Sequence, residues 1–140
     1  MDNFYCTAHR MWKDANVLHT SGSSYFNTCY LAGYILESYG KLIVKAYDST
    51  INVRRFSHSL SDLNTKIKND ITIAPSLGKY CLDLSIECNT IFSGNNEWGP
   101  LKRYEDNPNL WSTKQTADSY ISESKKIIDM IDEMKIDGVI

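Results

Sequence analysis

The chain predicts an all-α fold, an up-and-down bundle of four to five helices, and three observations carry that expectation. Apolar residues recur at three- and four-residue steps through five separate stretches. No stretch alternates convincingly at period two, and Ile71-Thr72-Ile73, the one candidate extended piece, is too short for a sheet. Clusters of Ser, Gly, Asn and Pro separate the stretches. With 140 residues, no internal repeat and no linker, the sequence reads as one domain over residues 1–140. A chain of that size can remove roughly two thirds of its unfolded surface from water.

The first helix is expected at about residues 3–19, where Tyr5, Ala8, Trp12, Ala15 and Leu18 share a face and Asp2 stands in cap position. Gly22 can take the left-handed conformation that ends it, and Ser23 or Ser24 can cap the next helix, so the two form a hairpin. That second helix, about 25–47, organises the rest. Leu31, Ala32, Ile35, Leu36, Leu42, Ile43 and Ala46 cover an apolar arc far wider than a surface helix needs, leaving Tyr30, Tyr34, Glu37, Lys41 and Lys45 on one edge. Gly33 and Gly40 lie on the arc, where missing side chains would let a neighbouring backbone approach closely.

A shorter helix at about 58–69 is marked by Ser57 and Ser59 as caps, with Leu60, Leu63 and Ile67 facing the core and Asn69-Asp70 ending it. A fourth, about 75–92, would start at Pro75, whose missing amide hydrogen suits a first helical position, and would bury Leu77, Tyr80, Cys81, Leu84, Cys88 and Ile91. Ser93-Gly94-Asn95-Asn96 breaks the pattern. Glu97 to Trp111, with Gly99, Pro100 and Pro108, has no sustained period, and a loop of that length in a compact domain is often functional. The last helix, about 113–136, starts at Ser112 or Thr113, with Gln115 placed to close a capping box on Ser112, and has Ala117, Tyr120, Ile121, Ser124, Ile127, Ile128, Ile131 and Met134 on its inner face.

A formal charge of -2 gives no global reason to expect a nucleic acid or membrane partner, so an anion site must be local. The N-terminal residues lack the basic and apolar regions of a signal peptide, and no apolar run approaches 18 residues; a cytoplasmic protein is expected. Cys6, Cys29, Cys81 and Cys88 form no Cys-x-x-Cys pair and read as free thiols. His9 and His19, ten apart, match no metal spacing, and neither metal nor cofactor is expected. Phosphate-loop, zinc-protease and nucleophile-elbow motifs are absent.

Chemistry can concentrate in three places. Glu37 and Lys41, four apart, make at least a surface pair, and with Tyr30 and Tyr34 they can line a polar cleft against the long loop. His58 is either a helix-start histidine bonded locally or an acid, base or anion contact, and nothing nearby in sequence supplies a second member of a catalytic pair. Arg103, beside Lys102 and Tyr104, can fork onto a phosphate or brace the loop by pairing with Glu37, Glu105 or Asp106. The stretch from Lys41 to Asp70 is locally basic, which fits either a phosphate or RNA backbone contact or ordinary solvated faces.

Tyr30-Leu31-Ala32-Gly33-Tyr34-x-x-Glu37-x-x-x-Lys41-x-x-x-Lys45 resembles the second helix of HEPN domains (higher eukaryotes and prokaryotes nucleotide-binding). Ser57-His58-Ser59-Leu60-x-x-Leu63 is similar to that family's Gly-His-Asp-Leu-x-x-Leu, and Trp98 with Arg103-Tyr104-x-Asp106 looks like its Trp and Arg-Tyr-Pro-Asp segment. The resemblance covers about residues 8–131. It implies a helical bundle, a homodimer, a cleft associated with nucleotide or RNA, and a possible minimal nucleotidyltransferase partner. Many members are metal-independent ribonucleases of toxin or antiphage systems, with four to six residues standing between the arginine and the histidine. Here Arg103 is followed at those positions by Pro108, Asn109 and Leu110, Arg54 and Arg55 stand too close to His58, and Arg10 and His19 too far apart. The expectation is therefore a non-catalytic binding module that contacts a nucleotide, RNA or protein partner through a polar cleft beside the second helix, with no catalytic residue assigned and Tyr34, Glu37, Lys41, His58, Arg103 and Tyr104 as ligand contacts. A divergent ribonuclease and a pure dimerisation or interaction subunit are the alternatives.

Overall fold

A computed structural model describes residues 2–92 and 97–140, and within them the chain is all-helical, without a strand. The expected break at Ser93-Gly94-Asn95-Asn96 lies outside the described residues. Three long helices make the frame: α1 (Phe4–Ser21), α2 (Tyr25–Tyr47) and α6 (Lys114–Ile136). Short elements fill the middle: a 3-10 turn (Val53–Phe56), α3 (Leu60–Lys66), a π turn (Ile67–Ile71), a second 3-10 turn (Gly78–Tyr80), α4 (Leu84–Glu87), α5 (Asn89–Phe92) and a third 3-10 turn (Pro100–Tyr104).

The caps explain the frame's boundaries. Asn3, not Asp2, starts α1 by accepting the Cys6 N–H at 3.0 Å, while Asp2 turns outward to the Arg54 guanidinium at 3.1 Å. Gly22 ends the helix at φ 66°, a conformation open to glycine at little cost, and Ser24 then caps α2 through the Asn27 N–H at 3.0 Å. Thr113 rather than Ser112 caps α6, accepting the Thr116 N–H at 3.2 Å. Helix α6 runs antiparallel to α1, because His9 meets Asp132 and His19 meets Asp118, each at 2.6 Å.

Helix α2 is buried on nearly every side: Ala32, Ile35, Leu36, Tyr39 and Ile43 are fully inaccessible. Its two interior glycines admit side chains, not the backbone that the sequence led us to expect. A Cβ on Gly33 would fall 2.1 Å from the Trp98 indole, and one on Gly40 would fall 3.0 Å from the Leu63 side chain. Each glycine is the floor of a socket.

The expected fourth helix, 75–92, is not one helix. Pro75 sits in a turn, the chain winds through a 3-10 turn at 78–80, passes extended through 81–83, and restarts twice as α4 and α5. Neighbouring side chains have claimed the backbone groups that a continuous helix would use. The Tyr39 hydroxyl donates to the Tyr80 carbonyl at 2.7 Å and accepts the Leu82 N–H at 2.8 Å. Asp83 caps α4 through the Ser85 N–H at 3.0 Å, Asn64 accepts the Leu84 N–H at 2.9 Å, and Glu123 of α6 accepts the Thr90 and Ile91 N–H groups, both at 3.0 Å. Leu77, Tyr80, Leu84, Cys88 and Ile91 are nonetheless buried, so the apolar period marked burial rather than conformation. Asn69-Asp70 likewise does not end the preceding helix, which widens into the π turn and buries Ile67 and Ile71 fully.

The Ser85 hydroxyl, with Asn64 and Lys68, holds the Asp83 carboxyl down to about 2, so its capping contribution is complete above the unfolded value of 3.8 and disappears as pH falls through about 2. Asp83→Ala should cost about 1 kcal/mol at neutral pH, the usual worth of such a cap. Urea titrations at pH 7, 4 and 2 check this, and the gap between variant and wild type should close across the last interval.

All four cysteines are free; Cys29 and Cys88 are buried, which pushes each thiol up to about 12, and Cys6 is exposed. Among the described residues no helix is long and apolar enough to cross a membrane.

Candidate functional site

The polar edge of α2 faces the chain entering α3 and the loop after residue 97. Lys41 donates to Glu37 Oε1 at 2.7 Å, and the two residues are only 6% and 7% exposed, so the pair is an interior one and not the surface pair its spacing alone implies. Buried charges require such partners. The second carboxylate oxygen, Oε2, lies 2.8 Å from His58 Nδ1. Twenty-one residues separate Glu37 from His58 in sequence, and only folding joins them. Ser57, at φ 49°, makes the sharp entry that sets His58 against α2. The His58 side chain is half-exposed, with its Nδ1 held by Glu37.

Tyr34 links this triad to the loop. Its ring meets Trp98 edge-on at 5.0 Å and His58 at 6.1 Å, and its hydroxyl is 3.0 Å from that of Tyr30. Burial, helped by the Tyr30 hydrogen bond, pushes the Tyr34 phenol well above its ordinary range, so it stays protonated. Trp98 pins the loop to α2: its backbone N–H donates to the Ile91 carbonyl at 2.8 Å and its indole N–H to the Tyr30 carbonyl at 2.9 Å. The Pro100–Tyr104 turn follows.

Arg103 pairs with none of the three carboxylates expected to brace it, Glu37, Glu105 and Asp106. Lys102 occupies Glu105 at 3.2 Å, and Glu37 is occupied by Lys41 and His58. The guanidinium instead donates to two phenols, Tyr30 at 3.0 Å and Tyr104 at 2.5 Å, and lies 4.6 Å from the Tyr104 ring centre. No carboxylate among the described residues is within ion-pairing distance of it. It is a fixed, exposed and uncompensated cation.

All six candidate residues thus stand in one chain of contacts: Lys41, Glu37, His58, Tyr34, and then, through Tyr30, Arg103 with Tyr104. Two pockets flank it. One of about 480 Å³ lies between Ser57-His58-Ser59 and the Pro100 turn; the other, of about 360 Å³, lies between the start of α1 and the Tyr34-Glu37 edge, with Arg10 in its wall. Tyr30, expected in the cleft, and Trp98, quoted in the loop motif, both join the site although neither was among the expected ligand contacts, and Arg10 is the member that site reasoning from sequence left out. The signal for Trp98 was Gly33, a glycine in an otherwise filled apolar arc. The locally basic stretch before Asp70 is largely spent on ion pairs, Arg54 with Asp2, Lys66 with Asp70, and Lys68 with Asp83, as solvated faces would be.

Among the described residues no three His, Cys, Asp or Glu side chains are grouped to hold a metal ion. Comparison with protein-family models, curated proteins and solved structures finds no match in any of the three.

Proposed function

We propose that the chain is a small HEPN-like bundle, non-catalytic and homodimeric, that binds the phosphates of a nucleotide or RNA along the polar edge of α2. The observation that carries this reading is Arg103, an arginine oriented by two phenols and left without a carboxylate, which is the state an anion-recognising guanidinium needs. Tyr104, 70% exposed, offers an aromatic face beside it for a base, and His58 offers a second polar contact. The α1–α2 hairpin and the polar edge on its second helix support the family reading.

Arg103→Ala should weaken binding of a fluorescein-labelled mixed-sequence RNA, or of ATP, by about tenfold or more, the scale of a lost charge-assisted contact. Because the guanidinium is exposed, the melting temperature should move by no more than about 2 °C. Fluorescence anisotropy and thermal denaturation read the two quantities. Unchanged binding, or a large loss of stability, would show that Arg103 only ties the loop down.

One observation favours a second reading, a divergent metal-independent ribonuclease. Glu37 holds His58 through Nδ1 and the side chain is half-exposed, which fits the pairing of a general base with a positioning carboxylate. Incubation with mixed RNA and chelator separates the readings: cleavage abolished by His58→Ala supports the enzyme, and no cleavage at high protein concentration rejects it.

A further inference from the structure

A separate concavity, of about 440 Å³, lies between the start of α1 and the last turns of α2 and α6. It owes its third wall to the end of α6. Gly138, at φ 77°, donates to the Lys135 carbonyl at 3.2 Å and Val139 donates to the Met134 carbonyl at 3.0 Å, the paired bonds of a Schellman turn. That turn folds Val139 and Ile140 back beside Phe4, Tyr5, Leu42 and Ala46, giving an apolar floor whose side chains are all only partly buried.

Two ammonium groups border this floor, Lys45 from the last turn of α2 and Lys135 from the last turn of α6. Neither is in ion-pairing range of a carboxylate among the described residues; Lys135 Nζ instead sits 5.3 Å from the Tyr5 ring centre. The one acidic side chain in the lining, Asp2, is already matched by Arg54 at 3.1 Å. The groove therefore presents hydrocarbon at its base and, at its rim, two lysines without an ion-pair partner among the described residues. Its size falls within the range of small-molecule sites, about 300–1,000 Å³.

The geometry points to a binding site for an amphiphilic monoanion, an acyl or aryl carboxylate whose apolar body lies on Phe4, Leu42 and Ile140 and whose carboxylate lies between Lys45 and Lys135. This site takes Lys45 from the far end of the α2 edge and lies apart from the Glu37, His58 and Arg103 contacts. It shares with the Glu37 pocket only Asp2, Asn3 and Phe4, and it requires nothing of Arg103 or His58.

Titration calorimetry with octanoate, decanoate and decyltrimethylammonium, each below its micelle-forming concentration, tests the assignment. Decanoate should bind one-to-one and about fifteenfold more tightly than octanoate, since each of its two extra buried methylenes is worth roughly fourfold. The equally long cation should not bind measurably. Lys45→Gln with Lys135→Gln should weaken decanoate at least tenfold with an unchanged melting temperature, Ala46→Trp should fill the groove and abolish binding, and Arg103→Ala should bind decanoate as wild type does. Absence of decanoate binding, equal binding of the cation, or undiminished binding by the double glutamine variant would overturn the proposal, whatever the outcome at Arg103.

Discussion

Gly33→Ala is expected to destabilise the protein by about 2–4 kcal/mol, although alanine is the better helix former by about 1 kcal/mol. The clash decides the sign. The new methyl would lie 2.1 to 2.2 Å from three atoms of the Trp98 indole, and a buried bicyclic ring packed against Tyr34 cannot step aside as a flexible side chain does. Expelling the indole also breaks its bond to the Tyr30 carbonyl and frees the turn that carries Arg103. Thermal denaturation should show the loss, tryptophan emission should shift to the red, and RNA or ATP binding should fall with it. Gly40→Ala is the internal contrast. There the contacts are Leu63 Cβ and Cδ1 at 3.0 Å, so α3 must give by a few tenths of an ångström, and the cost should be smaller than at Gly33, about 1–2 kcal/mol. A Gly33→Ala protein as stable as wild type would mean that the indole does not occupy the socket.

Glu37→Ala should cost about 3–5 kcal/mol in urea denaturation, because it strands the Lys41 ammonium in the interior with no other carboxylate in reach. His58→Ala removes only a half-exposed partner and should cost about 1 kcal/mol or less. Replacing both ends of the buried pair, Glu37→Leu with Lys41→Met, should recover most of what Glu37→Ala loses, since two buried ions are then exchanged for apolar groups of similar volume. If the double variant were as unstable as Glu37→Ala, ion-pair burial would not be the source of the loss. Ligand binding separates structure from recognition: the double variant should fold, yet leave His58 without its carboxylate and bind RNA or ATP more weakly than wild type.

The long helices α1, α2 and α6 are legible from residue spacing because each packs a continuous stripe against long partners, and their caps fall within two residues of the expected places. The segment 75–92 was not legible for a specific reason. Its apolar residues obey a helical period because they must reach the core, but Tyr39, Asn64 and Glu123, donors and acceptors lent from other elements, make several broken turns as satisfactory as one helix. The site divides in the same way. Glu37 and Lys41 could be paired from their spacing, whereas their burial depended on the loop and on Phe4, 5.5 Å from Lys41 Nζ. The His58 partner lies on another helix, and the choice among Arg103 partners rested on which neighbours were already taken.

The placement of sulfur also has a practical consequence. Cys29 and Cys88 are sealed in the core with thiols that do not ionise near neutrality, and burial raises Cys81 as well. Cys6 alone is exposed, and it forms part of the wall of the pocket that contains Tyr34 and Glu37. The native chain therefore comes with a single readily alkylated position, and a maleimide dye attached there rides at the mouth of the cleft, reporting occupancy in solution with no engineered residue at all.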